Sequence, residues 1–131
     1  MSQVSLQFSS INFAFLQKNE PLLFRLACLA EALFPTDPNT SLLKARQFGE
    51  ALAQQVSAHS KRRPQFEERQ IDLLNRLKSD GLLPKSMADM LHFIRKKGNL
   101  ANHQITGTAN DALTCITVSY THLTLPTILL V

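Results

Sequence analysis

The stretch "DPNTSLLKARQFGEALAQQV", Asp37 to Val56, decides the fold. Asp37 offers a side-chain acceptor to the free N–H groups that open a helix. Pro38 stands at the first turn, where a missing N–H costs nothing. Leu42, Leu43, Ala45, Phe48, Gly49, Leu52, Ala53 and Val56 then trace one apolar face through roughly five turns. A stripe that long must be buried against other helices. Gly49 interrupts it, and glycine inside a helix costs about 1 kcal/mol against alanine. Close approach of a neighbouring helix is the expected reason.

The flanking sequence repeats this grammar. Upstream, Asn19-Glu20-Pro21 starts a helix carrying Leu22, Leu23, Leu26, Leu29, Ala30 and Leu33, and "FPTDPNT" breaks it with two prolines. "INFAFLQKN" before it is expected to form a short helix. Residues 1–12 are polar and serine-rich and are expected to be flexible. Downstream, "SAHSKRRPQ" reads as a basic linker. Phe66, Ile71, Leu73, Leu74 and Leu77 build a third helix, stopped at Asp80-Gly81. Pro84 starts a fourth, with Met87, Met90, Leu91 and Ile94 inward. Its expected end is Gly98, after the cations Arg95, Lys96 and Lys97, which suit the negative end of a helix dipole. Gly98 is then the left-handed residue past the helix, and Asn99 bonds the turned backbone. Thr108 or Asn110 is expected to cap a fifth helix, cut short by the end of the native sequence. Four to five helices with short links predict an all-α antiparallel bundle.

Composition bounds the function. The chain has 131 residues, room for one domain. Hydrophobic residues make up 44% and charged residues 18%, a globular balance. The formal net charge of +4 suits a nucleic-acid partner without requiring one. Cys28 and Cys115 form no metal or redox motif, and a reducing cytoplasm is expected. No apolar run is long enough to cross a membrane. His59, His92, His103 and His122 lack partners at ligand spacing, so no metal site is expected. Neither a phosphate-binding P-loop nor a nucleophile elbow is present. "SKRRP" supplies Lys61, Arg62 and Arg63 as candidate phosphate contacts, and "FIRKKGNLANHQ" supplies Arg95, Lys96 and Lys97. His103 is a candidate general base.

Charge stops abruptly. All 14 basic and all 10 acidic residues precede Ala112. The uncharged end contains "VSYTHLTLPT", Val118 to Thr127, which resembles the translation of a transposase adapter used in DNA library preparation. We expect the native gene to end near Ile116, with residues 13–116 an incomplete bundle domain and 117–131 a non-native tail. Tyr120 and His122 accordingly receive no functional role.

"DPNTSLLKARQFGEALAQ" with Arg46 and Glu50, "IDLLNRLKSDGLLP", and "LHFIRKKGNLANH" with Gly98, Asn99 and His103 resemble a helical domain of unknown function. That domain stands at the N-terminus of restriction subunits of type I restriction-modification enzymes. The resemblance implies an accessory, non-catalytic domain contacting DNA or the modification and specificity subunits. The parent would be an ATP-dependent type I site-specific deoxyribonuclease, with ATP and magnesium needed only by domains missing here. The family is also linked to HEPN bundles, some of which cleave RNA with an arginine and a histidine four to six residues apart. Here Arg95 and His103 have seven residues between them, and the nearer positions hold Lys96 and Lys97, which lack arginine's planar fork. A ribonuclease using Arg95 and His103, or a purely structural bundle, are the alternatives.

Overall fold

The computed structural model describes residues 10–59, 68–103 and 108–123, without the side chains of 102, 103, 122 and 123. A 3-10 turn, Ala14–Leu16, precedes five helices: α1 (Pro21–Leu33), α2 (Pro38–Ala58), α3 (Gln70–Ser79), α4 (Lys85–His103) and α5 (Ala109–Leu123). No strand occurs among the described residues, and none of their helices is long and apolar enough to cross a membrane. The expected all-α bundle is what forms.

Side-chain caps set the starts of α2 and α5. Asp37 caps α2: its carboxylate accepts the Thr40 N–H at 3.2 Å and the Thr40 hydroxyl at 2.5 Å. Those bonds hold the Asp37 carboxyl below its usual range. Thr108 caps α5 by accepting the Asp111 N–H at 3.0 Å. Gly81, at φ 76°, ends α3, and the Leu82 N–H returns to the Leu77 carbonyl at 2.9 Å. At the N-terminus, Ser10 and Asn12 both donate to the Glu31 carboxylate, and Phe13 lies buried next to them.

α2 is the central rod. It packs along α1 and α4 and also touches α3 and α5. Of the face its periodicity selects, Leu42, Ala45, Phe48, Gly49, Leu52, Ala53 and Val56 are buried and Leu43 is half-buried, while Ser41 and Ser57 join the buried set. The Ser41 hydroxyl donates to the Ala30 carbonyl at 2.6 Å, which satisfies a polar group inside the α1–α2 seam. Cys28 and Cys115 are free and buried. Burial pushes their thiols up, to about 11 and about 12.

Several expectations fail. Leu22, assigned inward, is 51% exposed, while Leu23, Phe24 and Ala27 carry the inner face of α1. More consequentially, α4 does not stop at Gly98 but continues to His103. Gly81 is the one positive-φ glycine among the described residues. Gly98 is helical, so the three cations lie within the helix rather than in its last turn. The helix goes on because Ile94, Gly98 and Ala101 extend one buried face against α2. α5 buries Ala112, Cys115, Ile116 and Ser119.

Candidate functional site

Two polar regions flank α4. The first is its seam with α2, where the two helices run antiparallel. The Asn39 amide donates to the Ala101 carbonyl at 2.8 Å, and Arg46 Nη1 approaches Asn99 Oδ1 at 3.4 Å. Arg46 Nε stands 3.6 Å from Glu50 Oε1, one turn further along α2. Asn99 therefore answers Arg46 instead of the turned backbone expected for it. A Cβ placed on Gly98 would lie 2.5 Å from the Arg46 Cβ and 3.0 Å from its Cγ and Cδ. Gly98 is thus a notch that admits the Arg46 stem. Gly49, by contrast, has room for a Cβ, at 3.5 Å from Leu91 Cδ2 and 3.7 Å from Ile94 Cγ2. The close approach expected at Gly49 is found at Gly98. Arg46, Glu50, Gly98 and Asn99 therefore form one seam whose evident work is packing.

The second region is an open groove between α3 and α4, lined by Ile71, Asn75, Asp89, His92, Phe93, Arg95 and Lys96. Helical spacing builds it. His92, Arg95 and Lys96 stand at i, i+3 and i+4 and share one side of α4. Arg95 Nη2 sits 3.4 Å from His92 Nδ1, and Arg95 Nε is buried with no hydrogen-bond partner among the described residues. Burial first, then the charges of Arg95, Lys96 and Lys78, pull His92 below its ordinary 6.5, with Asp89 opposing. The field on the groove is positive. Its one carboxylate, Asp89, is paired with Lys85 at 3.1 Å.

Of the cations expected to meet phosphate, Arg95 and Lys96 share this groove. Lys97 points elsewhere: its ammonium pairs with Asp111 of α5 at 3.2 Å and lies 5.8 Å from the centroid of the Phe93 ring. Burial works against the Asp111 charge, but hydrogen bonds from Lys97 and Thr108 hold its carboxyl below the usual range. Lys61, Arg62 and Arg63 lie outside the described residues, as does the side chain of His103. The continuous helix sets Arg95 and His103 about 12 Å apart along its axis and about 80° around it. The turn that would fold them toward each other is absent.

The sequence reading missed His92 as a groove residue, having weighed it only as a metal ligand. Its i, i+3, i+4 relation to Arg95 and Lys96 was the available signal. It also missed a buried ion pair. Arg76 Nε and Nη2 donate to the Glu68 carboxylate at 2.9 and 3.0 Å, and Nη2 donates to the Ser57 hydroxyl at 3.0 Å. Both side chains are over nine-tenths buried, at 9% and 8% exposed. No cluster of histidine, cysteine or carboxylate that could hold a metal ion occurs among the described residues. Chemically, the groove can hold an anion.

A protein-family model described as "Domain of unknown function (DUF4145)" matches residues 29–123. The type I restriction enzyme EcoKI endonuclease subunit of Escherichia coli (strain K12) is 35% identical over 109 residues. That alignment takes in 83% of this chain and 9% of the subunit, so the chain spans a small part of its relative's length. No solved structure matches.

Proposed function

The chain belongs to the DUF4145 family, and on that premise we propose that it is a non-catalytic accessory domain of a type I restriction subunit that contacts DNA through the α3–α4 groove. The restriction context is supported by the similarity to the EcoKI endonuclease subunit. In that context the modification and specificity subunits are its neighbours, and ATP-driven chemistry belongs to the remainder of the subunit.

One observation carries the contact: the cations Arg95 and Lys96 converge on one open groove beside His92, with the Lys78 charge acting on that imidazole. Cations grouped this way neutralise phosphates and release counterions, so affinity falls steeply with salt. Salt titration of a fluorescent DNA oligonucleotide tests it by anisotropy. Binding should weaken between about 50 and 200 mM salt, and Arg95→Ala with Lys96→Ala should lower the log–log slope by about 2. Salt-independent binding, or a slope unchanged in the double variant, overturns the reading.

A further inference from the structure

The groove is not built from charge alone. Its lining includes the partly buried Ile71 and Phe93, and the exposed amide of Asn75 stands beside them. A site that met only a phosphate backbone would need neither an apolar floor nor an aromatic ring. Reading base edges in a duplex major groove calls for a protruding helix or β-ribbon. α4 does not protrude: α2, α3 and α5 all pack against it. A base still paired in a duplex cannot leave its stack to reach a floor set between two packed helices. An unpaired base can.

We propose that the α3–α4 groove takes a single-stranded stretch of nucleic acid, with a base against Phe93 and Ile71 and the adjoining phosphate on Arg95 and Lys96. This rests on the nucleic-acid reading given above and specifies its ligand. Every base offers a flat face, so such a site is tolerant of sequence. The Arg95–His92 contact is long, at 3.4 Å, which leaves the outer guanidinium nitrogens of Arg95 as donors for a phosphate oxygen. Asp89 is occupied by Lys85 and repels the strand less than a bare carboxylate.

The test compares a labelled oligothymidylate of about 12 nucleotides, within the ~4–16 typical of single-strand sites, with a duplex of equal length. Anisotropy is read at about 50 mM salt on the whole chain, where backbone contacts are strong. Three proteins are used: wild type, Phe93→Leu, which retains apolar bulk, and Arg95→Ala with Lys96→Ala. A thermal melt shows that each is folded. Expected is at least about tenfold preference for the single strand, with Phe93→Leu losing about 5- to 160-fold on it, the span of base–aromatic stacking. The duplex should be little affected by that substitution. Equal binding of both forms, or single-strand binding indifferent to Phe93→Leu, overturns this inference. If Arg95→Ala with Lys96→Ala then weakens both forms, the broader DNA-contact reading survives. Binding of neither form by wild type overturns both.

Discussion

Replacing Gly98 with alanine sets two effects of known sign against each other. Alanine is the better helix former by about 1 kcal/mol, so an open position would gain stability. At Gly98 the new methyl would fall 2.5 Å from the Arg46 Cβ, which sits at the root of its side chain and cannot swing away. One helix must then move, and overpacking of this kind costs about 1–3 kcal/mol. A contact so far inside van der Waals range belongs in the upper half of that span, which leaves Gly98→Ala about 1–2 kcal/mol less stable. At about 4 °C per kcal/mol for a chain of this size, the melting temperature should fall by about 4–8 °C. Gly49→Ala supplies the control. Its methyl would meet Leu91 and Ile94 at ordinary contact distances of 3.5 and 3.7 Å, so only the helix gain of about 0.5–1 kcal/mol remains. That variant should melt about 2–4 °C higher. Truncating Arg46 to alanine retains its Cβ and should not rescue Gly98→Ala, whereas Arg46→Gly should recover part of the loss. Thermal denaturation followed by circular dichroism reads the four variants against wild type. A Gly98→Ala protein as stable as Gly49→Ala would refute the notch.

Glu68→Ala should cost about 3–5 kcal/mol in urea denaturation, because it strands the buried Arg76 cation. Replacing Arg76 and Glu68 together by leucine should cost less than removing Glu68 alone. His92 gives a pH signature. Its folded pKa lies below 6.5, so the unfolded chain takes the proton first and stability declines as pH falls below that value. The melting temperature should drop between neutral pH and about pH 5.5, and less steeply in His92→Gln. A disulfide reagent such as Ellman's should leave Cys28 and Cys115 unmodified in the native protein and label both in denaturant, since each thiol is buried and protonated. Rapid labelling of Cys115 without denaturant would contradict its place in the core.

The sequence made legible what depends on neighbours within a turn or two. The Asp37-Pro38 start, the Gly81 stop and the inner face of α2 follow from caps, dihedral limits and a 3.6-residue period. Where two local readings competed, tertiary contact chose between them. "PLLFRLACLA" is apolar enough to offer two overlapping faces, and packing selects Leu23, Phe24 and Ala27 over Leu22. "RKKGN" has the chemistry of a helix end, yet a partner helix pressing on Gly98 turns a stop into a notch. The groove was half legible, since Arg95 and Lys96 stood out as cations while His92 and Phe93 needed α3 beside them to become a lining. The Arg76–Glu68 pair follows no helical spacing and joins α3 to the chain before it, so no pattern within one element could announce it.

The notch at Gly98 also acts as a register pin. Sliding α4 by one turn along α2 would bring Ile94 or Asn102 under the Arg46 stem, and each carries a Cβ that the gap refuses. The two rods therefore mesh in one alignment only. Because Arg95 and Lys96 ride on the pinned rod, that single missing methyl also sets how far along α3 their charges fall. A residue touching no ligand thereby calibrates the spacing between the cations and the Ile71 and Asn75 side of the cleft.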